Sequence, residues 1–227
     1  MSGAGHFPGG QILRVVNYHN TPAHRADQLD RELALLAERY APVTEDRLED
    51  YISTGRWEGG RRGVIPAFYN GYRNNYDVAL PALERHGLIG WFFAVSGYSS
   101  CPPAEQSAWG AERTLATIAG EYPDGRYALS WDELREMDAR GHVIASHTRS
   151  HTRVALDDPA ALESEIVGAQ EDFATHLGHP VRAFAWLFGG RYGENPMADA
   201  AVDRAGYRFL FSNLAVQLLP AGVAQAE

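Results

Sequence analysis

Two histidines four residues apart, His147 and His151, stand just after the apolar run Val143-Ile144-Ala145. Imidazoles presented from a loop at a strand end are donors for a divalent ion of the zinc, nickel or cobalt kind. Hydrolysis around such an ion also needs a base and an acid. A second stretch, Phe68-Tyr69-Asn70-Gly71-Tyr72-Arg73-Asn74-Asn75, closes another apolar run and offers a phenol and an amide, with no carboxylate at its start. Asn70 is a neutral oxygen donor. Tyr69, with a reference pKa of about 10, is a poor base at neutral pH. It can instead donate a hydrogen bond to a substrate oxygen or oxyanion, or simply line the pocket. Two neutral imidazoles and an amide leave a dication's charge uncompensated, so weak metal affinity is expected. The competing reading makes His147 and His151 hydrogen-bonded loop residues and nothing more.

His19, just past an early apolar run, is a candidate acid or third ligand, or else a satisfied polar group near the mouth of the fold. Tyr72, Arg73, Trp186, Phe188 and Arg191 are candidate substrate contacts. Arg191 follows Gly189-Gly190 and can meet an anionic or hydroxylated ligand. Trp91, Trp131 and Trp186 could form a sugar-stacking platform, but their strand and helix positions favour aromatic core. Asp77 and Glu194 are the carboxylates nearest to stand in for a missing acid, and both read as surface charges.

The elements that must position these groups alternate along the chain. Apolar runs at Ile12–Tyr18, 64–68, 88–95, 142–146, 183–188 and 207–211 read as strands, several apolar on both faces as buried parallel strands are. Helical spacing links Leu29, Leu33, Leu36 and Tyr40, then Tyr76, Leu80 and Leu83, then Leu162, Ile166, Phe173 and Leu177. Ser130-Trp131-Asp132-Glu133 is a capping box that opens a helix running to Ala139. Residues 97–110, rich in Gly, Ser and Pro, read as a loop. Repeated β-then-α order predicts one α/β barrel-like domain over residues 1–227, its reactive groups on loops at the C-terminal ends of strands. Asn70, His147 and His151 fall at such ends. Residues 1–10 read as flexible.

Composition limits the partners. The chain of 227 residues is 45% hydrophobic, enough for a sizeable core. A net charge of −9 argues against nucleic acid or anionic membrane as the main partner. The lone cysteine, Cys101, excludes an internal disulfide and reads as incidental. No apolar run approaches the ~20 residues of a membrane span, and the N-terminus lacks a basic-then-apolar signal. A cytoplasmic protein acting on a small-molecule substrate is expected, and oligomerisation is compatible with all of this.

The order of landmarks over Val15 to Phe211 resembles the polysaccharide deacetylases, the NodB-homology family of carbohydrate esterases. Tyr18-His19 follows the first strand. Phe68 to Tyr76 stands where the family has Thr-Phe-Asp-Asp-Gly. Ser146-His147-Thr148 with His151 matches His-Ser/Thr-x-x-x-His, and Phe184 to Gly189 matches an aromatic-Pro-aromatic-Gly segment. The resemblance implies a distorted (β/α) barrel and metal-dependent removal of acetyl groups from N-acetylated sugars. It makes His147 and His151 metal ligands, and puts Asn70 in the place of the metal-binding Asp and Tyr69 in that of the base. Departures accompany it. Both signature Asp residues are replaced, Leu187 replaces a Pro, and Ala185 stands where many relatives carry an Arg that orients the base. No late Leu-x-x-His segment is found before Glu227, so the C-terminal end is short for the family. The leading expectation is a hydrolase acting on an N-acylated sugar or related metabolite, with impaired activity. The alternatives are a cyclic amide or ureide hydrolase of the same superfamily, and a carbohydrate- or protein-binding pseudoenzyme.

Overall fold

A computed structural model describes residues 13–58, 60–153, 157–212 and 216–218. The segment 1–10, the first residue of the expected opening strand (Ile12) and the chain end at Glu227 lie outside the described residues. The strands are β1 (Leu13–Tyr18), β2 (Ala41–Pro42), β3 (Gly63–Asn70), β4 (Trp91–Ala94), β5 (Val143–Ser146), β6 (Ala183–Ala185), β7 (Phe209–Phe211) and β8 (Val216–Leu218). They form one sheet in the order β1-β3-β4-β5-β6-β7-β8, with β2 paired to the start of β3. Every pairing is parallel except β7 with β8. The helices are α1 (Ala26–Arg39), α2 (Glu45–Thr54), α3 (Leu80–Arg85), α4 (Ser96–Ser100), α5 (Gln106–Glu112), α6 (Trp131–Ala139), α7 (Pro159–Leu162), α8 (Gly168–Leu177) and α9 (Pro196–Ala205). The architecture is a distorted (β/α) barrel.

Alternation along each strand divides the core in two. Ile65, Ala67 and Tyr69 of β3, Trp91 and Phe93 of β4, Ala145 of β5, and Phe209 and Phe211 of β7 share the barrel interior. Phe68, Phe92, Ile144, Phe184 and Leu210 face the other way, into the layer formed with Leu33, Leu83, Leu134, Ile166 and Phe173 of the helices. The interior is filled with rings in sequence. Trp91 meets Phe211 at 5.3 Å, Phe211 meets Phe93 at 4.9 Å, and Phe93 stacks on Tyr69 at 4.9 Å. The barrel is therefore a packed column with Tyr69 as its top ring.

The capping box at α6 forms as expected. Glu133 donates its amide to Ser130 Oγ at 3.2 Å, and Ser130 donates its amide to Glu133 Oε2 at 2.8 Å. Residues 97–110, expected to be a loop, instead carry α4 and α5. Tyr98 is fully buried, stacks on Trp109 at 5.3 Å and packs with Val95 and Leu115, so tertiary burial overrides the Gly- and Ser-rich composition. The helix α2 has no counterpart in the sequence reading. Thr44 caps it by accepting from the Arg47 amide at 3.2 Å, and Gly55 closes it at φ +67°.

The start of α2 lies beside the N-terminal ends of β6 and β7, away from the histidines. Arg182 meets Asp46 at 3.2 Å and Glu45 at 3.6 Å, and it also pairs with Glu49, as does Arg208. Burial pushes the Glu45 carboxyl up to about 7, against the pull of Arg182. A carboxyl whose pKa is higher folded than unfolded adds stability below its unfolded value, and that stability is lost as pH rises from about 4.5 to about 7. Glu45→Gln is therefore expected to be more stable than the parent at about pH 8, by about 2 kcal/mol or roughly 5 °C in Tm. The difference should vanish below about pH 4. Thermal unfolding of both proteins across pH checks this; a pH-independent difference would contradict it.

Candidate active site

Tyr69 and Asn70 end β3. Their neighbours in register are Phe93 and Ala94 of β4, which in turn pair with Ala145 and Ser146 of β5. His147 thus leaves β5 next to Asn70's row, its amide bonded to the Ala94 carbonyl at 2.9 Å. The chain turns sharply after β3 because Asn70 (φ +78°) and Gly71 (φ +74°) are both left-handed. Asn is among the few non-glycine residues that tolerate this region. At Gly71 a Cβ would lie 3.2 Å from that of Ala94, tighter than side-chain carbons ordinarily pack, and the positive φ adds strain to any substitution there.

His147 is buried, and its Nδ1 lies 2.9 Å from the Ala185 carbonyl. A carbonyl only accepts, so Nδ1 carries the proton and Nε2 keeps its lone pair. Burial, with His151 nearby, pushes the imidazole pKa down to about 3. His151 repeats the arrangement. Its Nδ1 lies 2.7 Å from the Arg113 carbonyl, and burial lowers its pKa. The two rings stand 5.3 Å apart at 67°, and both are neutral donors at neutral pH. The amide oxygen Oδ1 of Asn70 is buried with no hydrogen-bond partner, while its Nδ2 donates to the Tyr72 hydroxyl at 3.2 Å.

Tyr69 gathers the remaining groups. Its ring stacks on His19 at 5.5 Å and meets His147 edge-on at 5.3 Å. Burial holds the Tyr69 phenol well above the usual tyrosine range and lowers the pKa of His19. His19 is held in turn by Asn75, whose Nδ2 donates to the His19 carbonyl at 2.8 Å. On the other side His151 meets Phe188 at 6.1 Å. Phe188 is 60% exposed and sits at φ +52°, a conformation rare for a bulky residue, so the surrounding turn holds an apolar ring out at the mouth.

The structure therefore brings together Tyr69, Asn70, His147, His151, His19 and Phe188, with Tyr72 directly behind Asn70. Arg73 goes elsewhere. It bridges Asp77 at 3.2 Å and Asp124 at 2.7 Å and lies over the Tyr122 ring at 4.2 Å, bracing the segment before α6. Trp186 and Arg191 line a cavity of about 450 Å³ with Arg153, Glu194 and Met197. The histidines are not part of its lining; the turn Leu187–Gly189, which carries Phe188, joins the two places. Arg191 is paired with Glu194 at 2.9 Å, and Asp77 accepts from the Tyr122 hydroxyl at 2.9 Å. Neither carboxylate substitutes for the missing acids. Trp91 and Trp131 are packing residues, the second stacked on His176 at 4.2 Å. Sequence reasoning missed the Arg113 and Ala185 carbonyls, because a backbone acceptor leaves no mark on residue type. Asn75 stands within the motif after β3, and nothing in its residue type announces the His19 carbonyl as its partner.

As a metal site the donor types fit. Two neutral imidazole nitrogens and one unpartnered amide oxygen suit a borderline divalent ion. The set carries no charge of its own, and among the described residues no three His, Cys, Asp or Glu side chains are placed to hold an ion.

A mostly parallel sheet curled into a distorted barrel that is open between β1 and β8, with a histidine pair at the C-terminal end of β5, is the fold of solved deacetylases. The Streptococcus pyogenes deacetylase PplD, solved in complex with acetate, matches with a TM-score of 0.66 at 16% identity over 86% of this chain and 80% of that one. A de-N-acetylase from Aggregatibacter actinomycetemcomitans matches with a TM-score of 0.66 at 18% identity over 88% of this chain and 87% of that one. IcaB from Ammonifex degensii matches with a TM-score of 0.65 at 19% identity, over 88% and 83%. In sequence, residues 58–210 match the polysaccharide deacetylase family model, and the chain belongs to that family. YxkH of Bacillus subtilis (strain 168), named for the same family, is 23% identical over 152 residues, covering 64% of this chain. The match spans 42% of the length of that relative.

Proposed function

We propose that this chain is a metal-dependent hydrolase that removes an acetyl or related acyl group from an N-acylated sugar or small metabolite. The supporting observation is the histidine pair. Both Nδ1 protons are committed to backbone carbonyls, which leaves the Nε2 atoms of two neutral rings as lone-pair donors, and Asn70, at the end of β3, carries a buried oxygen with no hydrogen-bond partner. His147, His151 and Asn70 would hold the ion, with zinc favoured and nickel or cobalt next. Bound there, it would polarise the acyl carbonyl and acidify a water molecule.

The chain's own groups divide the proton work. Tyr69 keeps its phenolic proton at neutral pH and donates a hydrogen bond to the acyl oxygen. His19 is neutral at neutral pH and can accept a proton on its ring. Phe188, exposed at the mouth, offers an apolar face to a sugar ring, and the cavity bearing Trp186 and Arg191 extends the surface for the rest of the substrate. A cytoplasmic setting and a small substrate belong to the same reading. The buried, unpaired thiol of Cys101 is compatible with a reducing compartment.

The test is metal content by mass spectrometry on protein purified without added metal, together with acetate release from N-acetylated sugars. Metal present with acetate released supports the proposal. Metal present without release from any acylated substrate favours a binding protein. Turnover that survives exhaustive chelation favours the cyclic-amide reading. The absence of both metal and turnover overturns the proposal.

A further inference from the structure

The geometry points to Glu165 as the positioning residue of His151: its buried carboxylate grips Ser150 and so fixes His151 with its ring proton on the Arg113 carbonyl. The inference rests on the reading of His147 and His151 as donors and adds the residue that holds one of them. Thr148 (φ +67°) and His151 (φ +56°) both sit in the left-handed region, and neither is glycine. Such residues persist only where their surroundings over-determine them.

Here the surroundings act on each residue between them. Ser96 and Gly97 donate their amides to the Thr148 and Arg149 carbonyls at 3.4 and 2.8 Å. Arg149 donates its amide to the Glu165 carbonyl at 3.0 Å. Ser150 donates its amide to Glu165 Oε2 at 2.9 Å and its hydroxyl to Glu165 Oε1. Glu165 is only 9% exposed, so its carboxylate depends on these donors.

The helix is built to deliver the clamp. Between α7 and α8 the chain makes a π-helical turn, Glu163–Val167, a distortion that gathers at functional sites. It carries Glu165 into the loop while Leu162, Ile166 and Phe173 stay in the core. Arg149 runs across Gly168, where a Cβ would lie 3.0 Å from its Nη1, to reach Asp172 at 3.0 Å. Asp172 is fixed from the other side by the Ser96 hydroxyl at 2.8 Å. The field of Glu165 also reaches His151.

The test uses the full chain unsubstituted and as Glu165→Gln and Glu165→Ala, with Ser150→Ala as the probe should Glu165→Ala not fold. Proton NMR of metal-free protein with nitrogen-labelled histidine reads the ring N–H signals. Slowly exchanging signals from both His147 and His151 are expected in the parent. Glu165→Ala should lose the His151 signal and keep that of His147. Glu165→Gln should keep both, because its amide can accept from the Ser150 amide and donate to the Ser150 hydroxyl oxygen. Ser150→Ala should speed exchange at His151 alone. Zinc affinity, measured by chelator competition, should fall about 10- to 100-fold in Glu165→Ala and be largely rescued in Glu165→Gln. A merely structural carboxylate would change thermal stability but leave both ring signals in the folded variants, and that result overturns the inference. If the parent binds no zinc while Glu165→Ala still loses the His151 signal, the metal reading fails and the positioning role stands.

Discussion

Replacing Asn70 by aspartate is expected to tighten zinc binding about a hundredfold, or about 2.8 kcal/mol. The donor set has two imidazoles kept neutral by burial and one buried amide oxygen with no partner. Nothing in it offsets the charge of a dication brought out of water. A carboxylate of nearly the same shape supplies that charge at the same place, where the low local dielectric strengthens the attraction. Without the ion the change works the other way. The introduced carboxylate would be buried with only the Tyr72 hydroxyl to donate to it, so the metal-free Asn70→Asp variant should lose about 1–3 kcal/mol of stability. Chelator competition and thermal unfolding, each with and without zinc, check both halves. An unchanged affinity, or nanomolar binding by the parent, would show that Asn70 does not limit the site.

His147→Ala is expected to abolish stoichiometric metal binding and to cost about 3 kcal/mol of stability, roughly 10 °C in Tm. The ring is buried between Tyr69 and His151, so its loss opens a cavity in the packed column. It also leaves the Ala185 carbonyl without its donor, a second penalty. His151 is less buried, so His151→Ala should lose the metal with a smaller stability cost. Metal content and unfolding curves on both variants test this. Equal, small losses of stability would mean that His147 is not part of the core.

Much of this was legible in the residues, for particular reasons. Strands such as Trp91–Ala94 are apolar on both faces, and the capping box at Ser130 specifies its helix locally. The histidine pair was visible as spacing at a strand end. The helices α4 and α5 were hidden because both carry Ser and Gly and Pro102-Pro103 separates them, while the burial of Tyr98 and Gln106 against distant segments stabilises them. Gln106 donates to the Cys101 carbonyl at 2.9 Å and accepts from the amides of Tyr127 and Ala128 at 2.7 and 2.8 Å, bonds that no local pattern announces. The π-helical turn that aims Glu165 was likewise silent, since Leu162 and Ile166 keep an ordinary helical spacing through it.

The column of rings inside the barrel has a consequence for how this site can change over generations. Tyr69 is at once the top of that column and the wall of the histidine pair, in contact with Phe93 below and with His147 and His19 beside it. A single step to the smaller aspartate would remove a ring from the stack and set a carboxylate on an aromatic floor. Such a change would cost the stacking on Phe93 and leave a cavity at the top of the column. Reactivity and packing are therefore coupled at this position, because one ring serves both the histidine pair and the barrel interior.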